Sequence, residues 1–335
     1  MSRLPHFPGL LVSIVAASTV LAASALSAEP EPEVFHKVLP ASPGGRLTIE
    51  ADRGSIEVAG GSENRIEVEV LRKVVRGNAR KAAELLERHK VELTEDAEGF
   101  HLVADLEGED RWSFRGPYLE VQIRVTVPRE FRLKARTAGG SIQVQGLKGE
   151  TSVQTAGGSL RLSEIAGRVS GRTSGGSISG NLLEGPVEFT TAGGGITLEG
   201  VAQGPVKVST SGGSLRLTGI QGPVEARTAG GSIRVETSAT PLLASTSGGS
   251  IEAALSSKPS GSVELRSSGG GITLALPTAS AFELDAATSA GSVKSDFPVS
   301  VREAGHRSSL QGPVNGGGPL IKLRTSAGSI RIREQ

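Results

Sequence analysis

Glu188, Lys207 and Glu225 recur at near-equal intervals in the segments "PVEFT", "PVKVS" and "PVEAR". Two carboxylates on one face, one as acid and one as base, are what cleavage of a glycosidic bond requires. If the segments lie side by side as strands, Glu188 and Glu225 stand two strands apart, roughly 9.6 Å, near the upper end for an inverting pair. Lys207 falls between them, so a column of alternating sign is the expected arrangement, each pair contributing roughly 0.2–1 kcal/mol.

Cations form a second pattern. Arg161, Arg216, Arg234, Lys294 and Arg331 each follow an apolar residue that opens a short alternating stretch, and Arg172, Arg227, Arg266 and Arg324 repeat on another stretch. Spaced cations on a rigid face suit an acidic glycan or anionic lipid headgroups. Gln143, Thr197 and Glu252 interrupt the first row, as a merely solvated face would. A third candidate is "EDRWSFRGPY", where Trp112, Phe114 and Tyr118 are flanked by Arg111 and Arg115 in a chain with only 3% aromatic residues. Such residues form a contact site or plug the end of a stacked structure. The five cations of the first row and these three aromatics are the candidate binding surface.

Other chemistries lack their parts. There is no G-x-S-x-G elbow and no H-E-x-x-H, His36, His89, His101 and His306 have no ligand spacing, and the chain has no cysteine. The string "TAGGS" at 137–141 returns as close variants opening at 155, 173, 191, 210, 228, 246, 267, 288 and 325. A phosphate loop would need Lys followed by Ser or Thr after the glycines and a helix behind them, and a calcium-binding glycine repeat would need an Asp in each turn. Neither is present: no Asp occurs between Asp110 and Asp285. No cofactor, metal or catalytic residue is expected.

A period of about 18 residues instead describes something built by stacking. Each unit, as in "GGSLRLTGIQGPVEART", holds two short strands with a glycine corner at one end and a Gly-Pro or Gly-x turn at the other. Stacked in register, such units give columns. The first strand supplies Ile142, Leu160, Ile178, Ile196, Leu215, Ile233, Ile251, Ile272, Val293 and Ile330, and the second Val153, Val169, Val187, Val206, Val224, Leu242 and Val263. These columns are the expected interior. The corner glycines, Gly139 and Gly140, Gly157 and Gly158, Gly175 and Gly176, Gly193 and Gly194, Gly212 and Gly213, Gly230 and Gly231, Gly248 and Gly249, are expected to be structural. They would accept positive φ without a Cβ clash, while the Ala and Ser of the string leave room for the coil above. Thr155, Thr173 and Thr210 continue the inward parity, so their hydroxyls should bond at the corner. The reading is an all-β, single-stranded parallel β-helix or β-solenoid, right-handed, with about 18 residues per coil. An antiparallel meander or sandwich competes on pattern alone, but the insertion before Thr210 leaves strand parity intact, which favours the solenoid.

Upstream, Arg3 and His6 precede "GLLVSIVAASTVLAASAL" and "ALSA", an export signal expected to span 1–28; left uncut, the apolar run would serve as an anchor. Residues 29–45 are Pro-rich and read as a flexible linker. Residues 46–135 read as a small mixed α/β capping segment: strands in "GRLTIEADRGSIEVAG" and "RIEVEVLRKVV", a short amphipathic helix capped by Asn78, a hairpin in "VELTEDAEGFHLVADL" and a strand in "YLEVQIRVTVP". Residues 136–335 are the solenoid. With 36 basic and 35 acidic side chains, nothing in the net charge points to nucleic acid.

The mixed segment with "GSIEV", the strand ending in "VTVP", and the iterated T-[AS]-G-G-S-[IL] with G-x-V half-repeats resemble the bacterial putative-adhesin β-strand-repeat family called domain of unknown function 4097. The resemblance covers roughly residues 45–335 and implies a β-solenoid at the cell envelope with an adhesin-like role; it carries over no catalytic or binding residue. The functional expectation is an exported, non-enzymatic, rigid surface for glycan, lipid headgroup or protein partners in the periplasm or at the cell surface. A carbohydrate-active β-helix enzyme and an accessory of envelope stress signalling are the alternatives.

Overall fold

A computed structural model describes residues 32–76, 78–108, 118–299 and 309–335. The export segment, Trp112, Phe114 and His306 lie outside the described residues.

Alternation decides the local structure. In strand β8 (Arg132–Thr137) Leu133, Ala135 and Thr137 are buried while Arg132, Lys134 and Arg136 are exposed. A strand with one apolar face must lay it against another. The chain turns the 137–141 corner into β9 (Ile142–Gln145), in a second sheet, and returns as β10 (Thr151–Thr155), parallel to β8 with Thr155 opposite Thr137. That circuit is one coil. Repeated through β23 (Ile272–Leu276), it builds two 14-stranded sheets enclosing one apolar core. The first-strand column forms as expected, from Ile142 beside Leu160 to Ile251 beside Ile272. In the second column Thr151, not Val153, stands beside Val169, and Val153 faces Gly171. Both are inward; Thr151 keeps the 18-residue spacing to Val169 and Val187, with a threonine where the later coils carry an apolar residue.

Both ends depart from simple stacking. The first coil, β2 (Arg46–Ala51) and β3 (Ser55–Gly61), does not end the stack. It lies between the β8–β9 coil and a coil made of β6 (Gly99–Leu106) and β7 (Tyr118–Pro128). At the other end, β27 (Leu320–Thr325) and β28 (Ile330–Glu334) insert between the coil of β22 (Val263–Ser267) and β23 and that of β24 (Phe282–Thr288) and β25 (Val293–Ser295). Ile330 therefore separates Ile272 from Val293. Antiparallel strands close the edges: β1 (Glu33–Pro40) on β4 (Arg65–Val75), β4 on β7, β5 (His89–Asp96) on β6, and β26 (Ser309–Val314) on β24. The helix α1 (Ala79–Arg88) packs beside β4 and β5, with Asn78 Oδ1 accepting from the Lys81 N–H at 3.0 Å.

Two of the expected boundaries move. Residues 33–40 of the expected linker form β1, whose Phe35 and Leu39 pack on the core. The division at 135/136 falls inside β8, and β2–β3 and β6–β7 are full coils of the solenoid: their alternation matches the repeat although their corners do not.

The corner glycines are structural for a reason other than the expected one. None adopts positive φ. Left-handed backbone sits instead toward the far ends of the first-sheet strands, in Gly146 (φ 72°), Glu164 (54°), Leu182 (52°), Gly200 (70°) and Gly219 (67°). At the corner the constraint is proximity. A Cβ on Gly158 would lie 2.1 Å from the Gly140 carbonyl oxygen, whereas one on Gly157 would lie 3.6 Å from that of Gly139. The corner threonine bridges the same two coils: the Thr173 hydroxyl donates to the Gly158 carbonyl at 2.8 Å and accepts from the Gly176 N–H at 3.3 Å. The relay repeats at Thr191, Thr210, Thr228 and Thr246. It follows spatial rather than chain order, with Thr325 donating to Gly270 and Thr288 to Gly328.

Gly158→Ala is expected to destabilise by about 2 kcal/mol or more, because the clash is with backbone, and Gly157→Ala by less than about 1 kcal/mol; paired urea melts measure both. Deleting residues 320–335 is expected to unprotect 282–295 in hydrogen exchange along with the edges of 263–276, because both flanking coils lose a neighbour.

Candidate functional site

In-register parallel strands turn sequence spacing into columns, and the candidate cations do share one. Arg161 stands beside Gln143 and Ser179, Arg216 beside Thr197 and Arg234, Arg234 beside Glu252, and Arg331 between Thr273 and Lys294. The column holds two adjacent cation pairs, Arg216 with Arg234 and Lys294 with Arg331, and a separate Arg161. Arg234 is also held by carboxylates, its Nε 3.3 Å from Glu236 Oε1 and its Nη1 3.2 Å from Glu252 Oε2.

Tyr118 opens β7 at the other end of the molecule from Lys294 and Arg331. Its hydroxyl donates to Glu120 Oε1 at 3.4 Å, and the Arg76 guanidinium lies 5.9 Å from its ring centroid. The structure thus does not bring Tyr118 together with Lys294 and Arg331.

On the second sheet, Glu188, Lys207 and Glu225 occupy one column as expected. The salt column does not form. Glu225 instead pairs along its own strand with Arg227, 2.8 Å away, and Lys207 makes no ion pair within 4 Å among the described residues. Arg266 pairs likewise with Glu264 on its own strand, whereas Arg324 pairs across strands with Asp285 of β24. Residues two apart on a strand share a face, and the long arginine side chain spans that gap.

The sequence reading missed β8. Arg132, Lys134 and Arg136 face outward in succession, Arg46 lies directly opposite Arg132, and Arg172 lies two strands from Arg136. None of the five forms an ion pair among the described residues. The signal was the alternation of "RLKART", readable by parity but placed in the capping segment because no glycine corner precedes it. Two cavities of about 360 and 760 Å³ flank this strand and share Glu50 and Val103 in their walls.

The larger cavity reaches the first corner, where Ala51-Asp52-Arg53-Gly54-Ser55 replaces the later Thr-Ala-Gly-Gly-Ser. Asp52 pairs with Arg53 at 2.9 Å through Oδ2, while its buried Oδ1 makes no hydrogen bond within the protein. Behind it His89 is 1% exposed, with neither ring nitrogen hydrogen-bonded. Arg72 donates to the His89 carbonyl at 2.8 Å and to Glu33 at 2.7 Å, tying β1 to this cluster. Burial lowers the His89 pKa to about 4, with Asp52 opposing that shift and Arg72 and Arg53 reinforcing it. Among the described residues no group of His, Asp and Glu side chains could hold a metal ion, and no helix is long and apolar enough to cross a membrane.

The family model described as Toastrack DUF4097 matches residues 45–333. The chain belongs to this family. Its two sheets of parallel strands, joined by repeated corners, are the fold described above. Among solved structures, similarity extends to a "putative adhesin" from Parabacteroides distasonis ATCC 8503, 12% identical over 90% of this chain and 97% of that one, TM-score 0.47. A "putative lipid binding protein" from the same organism is 15% identical over 90% and 96%, TM-score 0.42. A "putative adhesin" from Parabacteroides merdae ATCC 43184 is 9% identical over 90% and 96%, TM-score 0.41. No curated protein matches the chain.

His89 gives the Toastrack fold a pH dependence. Its folded pKa lies below the ordinary value of 6.5, so the folded state favours the neutral ring. The resulting stability is complete above about pH 6.5 and is lost as pH falls toward about 4, a change on the order of 2–3 kcal/mol. Melting curves across that window are expected to show the slope in the wild type and its loss in His89→Gln.

Proposed function

We propose that this Toastrack chain is an exported, non-enzymatic scaffold of the bacterial cell envelope that binds anionic envelope material on the outer faces of its sheets. The observation that carries the reading is the fixed placement of outward cations. They stand in columns about 4.8 Å apart on a frame whose corners are hydrogen-bonded from coil to coil. A rigid array loses little conformational freedom when it meets a repeating polyanion, which favours binding over a flexible surface of equal charge. The pattern of residues 3–28 supports export, and the names of the similar solved structures fit a surface or lipid-facing role.

A second reading rests on one observation. Glu188 and Glu225 stand two coils apart in one column with an unpaired Lys207 between them, the arrangement that hydrolysis of a glycosidic bond could use.

One experiment separates the two. The full chain is incubated with acidic polysaccharides, neutral polysaccharides and anionic vesicles, with bound fraction and newly released reducing ends both measured. A scaffold shows binding to the anionic probes that weakens steeply between about 50 and 300 mM salt, without product. Product release abolished by Glu188→Gln would establish the second reading, and absence of binding to every anionic probe would remove the first.

A further inference from the structure

The strongest unassigned feature is the groove along β8. On this outward face Arg132, Lys134 and Arg136 lie about 6.6 Å apart in succession. Arg46 faces Arg132 across one strand spacing, a like-charge contact that costs stability in the absence of a counter-charge. Arg172, two strands from Arg136 on the side away from β2, extends the cationic path along the same edge of the sheet. The Arg132 guanidinium reaches only the Gly44 carbonyl, at 3.2 Å. These side chains are not consumed by ion pairs as Arg227, Arg266 and Arg324 are.

The groove has two further properties. Its walls hold Glu50, Glu98 and Glu150, none in an ion pair among the described residues, and in the larger cavity also Asp105 and the paired Asp52 and Arg53. Its two cavities, of about 360 and 760 Å³, also expose apolar surface: Val103 is 42% exposed and Tyr118 36%. Cations alone would suit any polyanion. Carboxylates beside them repel a ligand that offers only negative oxygens, but accept hydrogen bonds from one that also carries hydroxyl groups. Exposed Val and Tyr suit the apolar face of a sugar ring.

We propose that the β8 groove is a binding site for an acidic polysaccharide of the uronate type: the five cations take its carboxylates, the three glutamates its hydroxyl groups, and Tyr118 and Val103 a ring face. This deepens the reading of the chain as a binder of anionic envelope material and rests on it. It departs from the sequence expectation by placing the site on the second sheet near its amino-terminal end.

The test is titration calorimetry of the full chain with polygalacturonate oligosaccharides, their methyl esters, polyphosphate and phosphatidylglycerol vesicles. The wild type is expected to bind polygalacturonate best and the esters at least about tenfold more weakly. The triple variant Arg132→Ser, Lys134→Ser, Arg136→Ser is expected to lose about tenfold or more in affinity with a shallower salt dependence, and Tyr118→Ala about threefold to tenfold. Lys258→Ser, at a remote exposed turn, controls for net charge. The substituted side chains point outward, so unchanged melting curves verify folding, and the single variants Arg46→Ser and Arg136→Ser repeat the test if the triple variant melts early. Polyphosphate or vesicles binding as tightly as polygalacturonate overturns the assignment. So does a wild type that binds while the β8 variant keeps its affinity and Arg161→Ser, Arg216→Ser, Arg234→Ser loses it; in that case the scaffold reading survives. A wild type that binds none of the anionic probes removes both.

Discussion

The second glycine of each corner sits so close to the carbonyl of the corner beneath it that no side-chain carbon fits between them. For Gly158, Gly176, Gly194 and Gly213 a Cβ would come within 2.0–2.2 Å of that oxygen. This contact fixes how near successive coils lie, and the threonine hydroxyl that closes it fixes their register. With spacing and register set, every outward side chain has a defined neighbour above and below. The charge pattern is therefore a product of backbone geometry, with side chains free only in which neighbour they choose.

That choice is where simple column arithmetic fails. Lys207 has glutamates on both sides and takes neither, and Glu225 is drawn along its own strand by Arg227. Arginine reaches two residues along a strand as easily as one strand across, and its planar guanidinium favours a carboxylate over the shorter-armed competition of a lysine. Exposed pairs of either kind contribute little to stability. Their effect is on the surface, since they decide which cations remain available.

Much of the fold was legible in the sequence because the repeat imposes the same two strands on each coil, and Ile142 through Ile272 stack as their spacing implies. What was hidden follows from non-local pairing. Nothing in residues 320–334 tells them from any other coil, so their position between two earlier coils is invisible until Ile330 is seen beside both Ile272 and Val293. The β8 cations were visible by parity, but their strand precedes the first full repeat corner at 137–141, and the corner before it, Ala51-Asp52-Arg53-Gly54, keeps only its last glycine. At the glycine pairs the physical cause was hidden: conformational freedom is a property of one residue and can be guessed from it, whereas proximity is a property of two coils.

The interleaved ends change what kind of object a solenoid is. Ordinary stacks grow one unit at a time, so a growing polypeptide can settle behind the ribosome as it emerges. Here the slot between two earlier coils waits for residues 320–334, and until Ile330 arrives the coil of Phe282 and Val293 has no partner on its inner side. A ribosome-bound or truncated product thus carries an open cleft with two unpaired strand rims, a mark by which quality control could tell an unfinished molecule from a finished one.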